Sequence, residues 1–428
     1  MQRAATLLCF TTLLTALCAD AQQALTWQQV RDKFEAANPT LLAARIGIDE
    51  SKADEITAYL RPNPDLSASI DQINPFATQP TPSGGSDGYR PFAFAFPSSS
   101  ISYLHERQHK RELRRESAQK ATAIAESQLA DQERNLIFNL RSAFVTTLQQ
   151  KAVLTVTRDN LAYYDRLLNV SRDRFKAGDI AKVDLVRLEL QRVQFESDVQ
   201  TALVNLRTAK ITLLMLLNDR TPVEQFDVAG PFDFAEQISP LEEFRKIAMD
   251  ARPDLKAAIQ SIDKAKTDHR LAVANGSTDP TFAVWYTYNP SFNNPNDHQT
   301  IGASISIPLR IFDRNQGEKK RTELDIDRNE KLMEATRAQV FSDVDSAYAT
   351  VTSVVILLQP YKSRYLQQAL RVRDTIAFSY EHGAASLLDF LNAQSDYRSV
   401  QVNYLNLVAS YLNAAGQLNL AVGREVIQ

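Results

Sequence analysis

The sequence predicts a mostly helical α+β protein that contains one structural unit twice. Three observations support this prediction. Short motifs return in the same order in the second half of the chain, at a nearly constant offset. Long intervals rich in helix-forming residues contain almost no proline or glycine. Short segments between the repeated motifs alternate apolar and polar residues, which is the period of a strand with one apolar face.

The internal repeat is the first of these observations. Early in each copy Pro64 returns as Pro280, and later Ser100-Ile101-Ser102 returns as Ser304-Ile305-Ser306. The offset is therefore larger at the start of the copies than further along. The step means that the first copy holds about ten extra residues, which fall in the Pro/Gly/Ser-rich stretch 72–88. One localised insertion in an otherwise constant offset indicates a duplication.

Residues 1–21 are predicted to be a cleavable export signal. Arg3 supplies a positive charge, an apolar stretch follows, and residues 19–21 form an A-x-A cleavage site. Both cysteines, Cys9 and Cys18, lie in this segment, so the expected mature chain has no thiols for disulfides or metals. Lipidation of Cys18 stays an alternative. The net charge of −3 argues against a nucleic-acid partner.

The expected mature chain divides into two repeats joined by a linker. The predicted parts are a first repeat at 22–221, with strands at about 64–104 and long helices with a tip at about 105–217; a linker at 222–240; and a second repeat at 241–428, with strands at about 280–309 and long helices with a tip at about 318–422. No later apolar run approaches the length of a membrane-spanning helix.

Very long helices are predicted in both copies. Between Pro97 and Pro222 there is no proline, and Gly178 is the only glycine. A helix from Leu104 to Phe175 would measure about 100 Å at 1.5 Å per residue. In the second copy a stripe with the heptad spacing 4, 3, 4, 3, 4 is formed by Val340, Val344, Ala347, Val351, Val354 and Leu358. The helices alone favour an ordinary coiled-coil hairpin.

Each copy supplies two alternating segments. A change of parity near Pro97 predicts a β-bulge there. Apolar-out, polar-in strands with flanking aromatics are typical of outer-membrane barrels, while a soluble sheet packed on the helices is the alternative. Four strands cannot close a barrel around a lumen, and open sheet edges are not tolerated in lipid. The membrane interpretation therefore requires several chains to share one barrel.

Together these features resemble the TolC family of outer-membrane efflux factors over essentially the whole mature chain. The most specific parts are the duplication, the two Gly-x5-Asp turns, and residues 304–309 followed by 313–317, which look like the CzcC-like branch that serves heavy-metal efflux pumps. The resemblance implies a homotrimer. It implies a twelve-stranded β-barrel in the outer membrane, in contact with its lipid, continued by a long α-helical barrel across the periplasm.

The resemblance also implies function and partners. The chain would be a passive exit duct from periplasm to exterior, with no cofactor and no enzymatic activity. It would dock to a periplasmic adaptor (membrane fusion) protein and an inner-membrane RND-type pump. Two rivals stay open: a periplasmic coiled-coil adaptor and a secreted enzyme. Salt or carbonate would release an adaptor from membranes but would not release a barrel.

In the family, two helix–turn–helix tips close the periplasmic end of the tunnel. Each tip has a glycine, Gly178 or Gly383, which allows φ > 0 in a tight turn. Threefold symmetry would turn Asp184 and Asp389 into carboxylate rings that favour cations. The alternative for each aspartate is a helix-start residue that complements the helix dipole. The implied constriction residues are Asp184, Tyr380, Asp389 and Asn392, and the implied adaptor-docking residues are Arg174, Gly178, Lys182, His382 and Gly383.

Departures from the family pattern occur at the second tip. Ala385 and Asn392 stand where the family archetype has an arginine and a second aspartate. We therefore expect a gate that is held more loosely, around Asp184, Tyr380 and Asp389.

Two further motifs carry less weight. Residues 105–109 spell HExxH, a zinc-protease motif, but they fall at a predicted strand-to-helix junction beside basic residues, so no metal site is expected. Basic clusters follow the outgoing strand of each copy. They are interpreted as a solvated helix face or as contacts to lipid headgroups. The members are Lys110, Arg111, Arg114 and Arg115 in the first copy and Lys319, Lys320 and Arg321 in the second.

Overall fold

A computed structural model describes residues 24–76, 78–80, 86–89, 91–92, 94–289 and 298–427. The predicted export signal, with Cys9 and Cys18, lies outside the described residues. The helices are α1 (Trp27–Ala37), α2 (Pro39–Tyr59), α3 (Lys110–Ala177), α4 (Lys182–Leu216), α5 (Leu241–Ala251), α6 (Pro253–Asn275), α7 (Gln316–Pro360), α8 (Leu366–Glu381) and α9 (Leu387–Val422). The strands are β1 (Asp65–Asp71), β2 (Thr78–Pro80), β3 (Ser86–Tyr89), β4 (Phe96–Leu104), β5 (Thr281–Tyr288) and β6 (Gln299–Ser306).

The chain forms two compact units. One, here called the tip unit, contains the described residues up to Pro39, Leu136–Ile238 and Ala349–Gln417. The other, here called the strand unit, contains Thr40–Asn135, Ser239–Tyr348 and Leu418–Gln428. Helices α3 and α7 contribute residues to both units.

The strand unit contains a four-stranded antiparallel sheet in the order β1-β4-β5-β6. Its alternating residues separate into two chemically different faces, as period-two segments require. One face is apolar and exposed, and includes Leu66, Ile70, Ile101, Phe282, Val284, Tyr286, Ile301 and Ile305. The other carries hydroxyl groups that pair across strands, with Oγ to Oγ distances of 2.7 Å for Ser67–Ser100 and 2.9 Å for Ser69–Ser98.

The predicted β-bulge at Pro97 is wrong. The register between β1 and β4 runs without a break from Asp65↔Ser102 to Asp71↔Phe96. Strand β4 begins at Phe96, so Phe92 and Phe94, which contributed to the predicted change of parity, precede the strand. Pro97 pairs with Ile70 on one side and lies beyond the last β4–β5 pair, Ser98↔Thr287. A proline at that strand end removes no hydrogen bond from the β4–β5 ladder.

The predicted heptad stripe in α7 is wrong at one position. The buried residues are Val340, Val344, Ala347, Val351, Val355 and Leu358. Val354 is half-buried, and Val355 takes its place. The observed spacing is therefore 4, 3, 4, 4, 3. Its average, about 3.6, is the period of an undistorted α-helix, which drifts away from a strict heptad repeat.

The long helices differ between the two halves of the chain. Helix α3 is continuous over 68 residues. In the second half Pro360 ends α7, and a π-helical turn at Tyr361–Tyr365 leads into α8. Contrary to the expectation from sequence, one window within Gln316–Glu381 has the length and composition of a membrane span. Its apolar residues include the buried stripe of α7, and core helices of soluble proteins pass the same test.

Candidate functional site at the helical tips

The first tip is the turn between α3 and α4. Helix α3 ends at Ala177, Gly178 has φ = 85°, and α4 begins at Lys182. The Asp179 N–H donates to the Arg174 carbonyl at 2.9 Å, which satisfies one of the free carbonyls of the helix end. A Cβ atom at Gly178 would meet nothing within 4 Å, so the positive φ is what requires glycine there.

The second tip, between α8 and α9, has the same backbone arrangement: a glycine with positive φ, and a hydrogen bond from the next N–H to a carbonyl of the preceding helix. Helix α8 ends at Glu381, and Gly383 has φ = 74°. The Ala384 N–H donates to the Ser379 carbonyl at 2.7 Å. The expectation that both tip glycines take φ > 0 is therefore confirmed.

The two tip aspartates have different surroundings. Asp389 forms a reciprocal capping arrangement with Ser386: the serine hydroxyl donates to the carboxylate at 2.7 Å, and the Asp389 N–H donates to the hydroxyl at 3.2 Å. Asp184 lies in the first turn of α4, whose N-cap residue, Ala181, has no capping side chain. The Asp184 carboxylate lies 3.9 Å from Arg187 Nη1. Asp389 thus has a helix-start role, while its exposed carboxylate still faces solvent.

An aromatic stack lies in the core of the tip unit. It consists of Phe195, Tyr164, Phe390 and Tyr380, which come from α4, α3, α9 and α8. The ring centroids are 4.6 Å apart for Tyr164–Phe195, 6.5 Å for Tyr164–Phe390 and 5.2 Å for Tyr380–Phe390. All four rings are buried. Because each helix supplies one ring, the stack joins the two helical hairpins of one chain.

Both tyrosines of the stack carry buried hydroxyl groups. The Tyr164 hydroxyl donates to the Leu188 carbonyl at 3.0 Å, and burial raises its pKa well above the usual value. For the Tyr380 hydroxyl, no partner among the described residues has the geometry of a hydrogen bond. Burial raises the pKa of Tyr380, and the nearby Ser171 side chain and the positive charge of Arg174 offset this only in part.

Arg174 is the direct polar link between the two tips. Its Nη1 donates to the Tyr380 carbonyl at 2.8 Å, and its guanidinium carbon lies 5.5 Å from the centroid of the Tyr380 ring. Tyr380 belongs to the last turn of α8, where a cation is favourable, and its carbonyl also accepts from the Gly383 N–H at 3.1 Å. Arg174 is therefore partly engaged within the chain.

The remaining predicted tip residues lie at the surface. Lys182, His382, Gly383 and Asn392 are exposed, and His382 Nδ1 lies 2.8 Å from the Phe378 carbonyl. The structure brings Arg174 and Tyr380 together. Tyr380 itself is only 6% exposed and packs inside the tip unit. The roles of these residues in a constriction or in adaptor docking stay predictions.

The second half of the chain matches a known family. Residues 245–424 match the family model described as outer membrane efflux protein. Over 417 residues the chain is 21% identical to the cobalt-zinc-cadmium resistance protein CzcC of Cupriavidus metallidurans, covering 97% of this chain and 94% of that protein. In sequence the chain resembles the outer-membrane efflux proteins of the TolC family. It is also 21% identical to the outer membrane protein TolC of Escherichia coli, covering 64% of this chain and 58% of TolC.

Solved structures of membrane channels share the fold of this chain. CusC superposes with a TM-score of 0.76 at 16% identity, covering 93% of this chain and 92% of that one. The outer-membrane channel OprN superposes with a TM-score of 0.73 at 15% identity, covering 93% and 89% of the two chains. Both solved structures are of channels, and the likeness shows a shared fold.

The HExxH sequence of this chain is not helical. Gln108 and His109 have φ of 59° and 54°, and α3 begins only after them. Glu106 accepts two hydrogen bonds from Arg114, one of them at 2.8 Å. Among the described residues, no group of three or more histidine, cysteine or acidic side chains is placed to hold a metal ion.

The basic cluster that follows β4 is partly internal. Lys110 is 3% exposed, and its Nζ donates to Asp279 at 2.6 Å and to the Ser277 carbonyl at 3.0 Å. The Arg107 N–H also donates to Asp279, at 3.0 Å. Burial alone would raise the pKa of Asp279, but these donors outweigh it and lower the pKa. For Lys110, neither the solvated-face nor the lipid-headgroup interpretation is correct, because the lysine ties the start of α3 to the start of β5.

Proposed function

We propose that this protein is the passive exit duct of a tripartite export complex, and that heavy-metal cations are its cargo. A homotrimer would form one twelve-stranded barrel in the outer membrane and one helical barrel in the periplasm. A periplasmic adaptor and an inner-membrane RND-type pump would supply the substrate and the energy. The cargo proposal rests on the likeness to the cobalt-zinc-cadmium resistance protein along nearly the whole chain.

The observation that best supports this proposal is the two-faced sheet of the strand unit. Its apolar face is exposed to an extent that water does not favour, with Leu66 at 76% and Ile301 at 78%. Its opposite face carries paired serines and threonines. A lipid-facing apolar surface and a polar lumen account for both faces together.

The sheet edges supply the argument for a trimer. Strands β1 and β6 each have one neighbouring strand in the part of the chain that the structure describes. In lipid, every backbone N–H and C=O needs a partner, so the edges must be paired by other copies. Three copies provide twelve strands, enough to enclose a lumen, whereas two copies would give a barrel filled by side chains.

The helical part supports a repeated architecture. Apart from the β2–β3 hairpin, and with α7 and α8 taken as one interrupted helix, the order helix, helix, strand, strand, helix, helix occurs once in each half of the chain. A trimer would then present six similar helical hairpins. Their tips, with exposed Lys182 and His382, are the surface proposed for the adaptor.

The proposed constriction lies at these tips. In a trimer Asp184 would form a ring of three carboxylates, and rings of this kind favour cations. Asp184 is the stronger candidate because its carboxylate makes no capping bond, whereas that of Asp389 is engaged with Ser386. Tyr380 would act from inside the tip unit by fixing how the two hairpins meet.

Membrane fractionation followed by bilayer recording tests the proposal. The full chain should stay in the outer-membrane fraction after carbonate and high salt. The purified protein should then give discrete conductance steps in planar bilayers. Release by carbonate, together with no conductance, would favour a periplasmic adaptor. For the cargo, deletion of the gene should lower the tolerance of cells to cobalt, zinc or cadmium; unchanged tolerance would contradict the metal assignment.

A further inference from the structure

The two edge strands of the sheet, β1 and β6, also raise the question of the register in which neighbouring copies would pair. If the proposed trimer forms, β6 of one copy pairs with β1 of the next. Antiparallel pairing alone does not determine which residue of β6 lies opposite which residue of the neighbouring β1. A slip of one residue exchanges the two faces, but a slip of two preserves them. The two faces alone therefore do not determine the register between β6 and the neighbouring β1. The internal repeat can determine it.

The repeat correctly relates the registers within the chain. Pro64, next to β1, corresponds to Pro280, next to β5, and Ser100 in β4 corresponds to Ser304 in β6. Counted along the strands from these anchors, the observed pair Leu66↔Ile101 corresponds to Phe282↔Ile305, which is also an observed pair. In the same way Ser67↔Ser100 corresponds to the observed pair Ala283↔Ser304.

We infer that the same correspondence fixes the register between neighbouring copies. The observed β4–β5 pair Ile101↔Val284 transforms into Ile305 opposite Ala68 of the next copy. The observed pair Ser100↔Trp285 transforms into Ser304 opposite Ser69 of the next copy. The interaction surface is the outer edge of β6 on one copy and the outer edge of β1 on the next. Its partner is a second copy of this chain.

The chemistry of this register is consistent on both faces. The apolar face gains Ile305 beside Ala68. The hydroxyl face gains Ser304 beside Ser69, which already lies 2.9 Å from Ser98 within its own chain. The serine ladder would thus continue from one copy into the next. By the same correspondence, the observed pair Tyr103↔Phe282 places Ile307 opposite Leu66 of the next copy. Ile307 follows the last residue of β6 and is 51% exposed in the single chain.

Disulfide cross-linking of the full chain in native outer membranes tests this register. Directly opposed residues have Cα atoms roughly 5 Å apart, within the range that a disulfide spans, whereas residues two positions away are too distant. The test pairs are Ser304→Cys with Ser69→Cys and Ile305→Cys with Ala68→Cys. Two neighbouring pairs are used because opposed pairs alternate in Cα separation along antiparallel strands.

The controls are pairs slipped by two residues: Ser304→Cys with Ser67→Cys, and Ser304→Cys with Asp71→Cys. Each single-cysteine parent controls for the natural cysteines. The inferred register predicts a covalent trimer on non-reducing gels, formed about tenfold faster for at least one test pair than for either slipped pair. Faster cross-linking of a slipped pair overturns the register.

Light scattering of the uncross-linked protein in mild detergent separates the two possible failures. A trimer whose test pairs do not cross-link means that the register is wrong while the proposed assembly stands. A monomer that gives no cross-linked product means that the proposed trimer fails, and the inference fails with it.

Discussion

Arg174→Ala should loosen the connection between the two tips and raise the probability that the channel is open. Arg174 contributes a charged hydrogen bond of 2.8 Å to the Tyr380 carbonyl and a cation–π contact at 5.5 Å. A hydrogen bond to a charged group contributes roughly 1.5 to 3 kcal/mol, and a cation–π contact roughly 0.5 to 1 kcal/mol at an exposed site.

Because Arg174 is half-exposed, solvent screening reduces this sum, and we expect about 1 to 2 kcal/mol per chain. If opening separates the two hairpins of a chain, the loss shifts the closed-to-open equilibrium by about fivefold to thirtyfold per subunit.

Single-channel recording in planar bilayers measures this open probability, and Arg172→Ala is the matched control. Arg172 lies two residues away and pairs with Glu189 inside the first hairpin, without a described contact to α8. The alanine variant at 172 should therefore behave like the unmodified protein. Equal open probabilities for Arg174→Ala and Arg172→Ala would show that Arg174 does not hold the tips together.

Three other substitutions test other parts of the structure. Phe390→Ala should lower the free energy of unfolding by about 3 to 5 kcal/mol, because Phe390 is fully buried in the aromatic stack; thermal unfolding should show little change for the control Phe378→Ala, whose ring is 63% exposed. Asp279→Asn should lower the free energy of unfolding above about pH 4, where the ionised Asp279 carboxylate stabilises the fold. The pKa of Asp279 is lowered in the folded protein, so this contribution is lost as the pH falls through the folded-state pKa. Acid-unfolding curves of the two proteins should therefore converge at low pH, and parallel curves would contradict the ion pair with Lys110. Gly302→Ala should lower conductance, because the new Cβ would overlap the Trp285 ring and push it away from the sheet on the hydroxyl face; adding Trp285→Ala should restore conductance.

Local physical rules explain which features could be predicted from the sequence. Gly178 and Gly383 lie between two helices, where a tight turn demands φ > 0 whatever surrounds it. The strand segments alternate with a period that no helix shares, so their two faces could be predicted from the sequence. The TolC-family resemblance and the outer-membrane location agree with the comparisons.

Features that depend on partners distant in sequence could not be predicted. Nothing near Lys110 in the chain shows that Asp279, 169 residues away, binds it, so the surface prediction for this lysine is wrong. The aromatic stack has the same cause, since Tyr164, Phe195 and Phe390 become neighbours only when three helices pack. Phe390 directly follows the tip aspartate Asp389, and that position is the one local sign of the stack. The heptad error at Val354 comes from a period of 3.5 where the helix keeps 3.6.

The most direct test of a cation-selective exit duct is the reversal potential of the purified channel in a bilayer with a salt gradient, measured for the unmodified protein and for Asp184→Asn. The substitution keeps the size of the side chain and removes its charge. We expect a cation-selective pore whose selectivity falls clearly in Asp184→Asn, because the proposed ring would lose three carboxylates together. A protein that forms no pore, or a pore whose reversal potential is the same in both proteins, would contradict it.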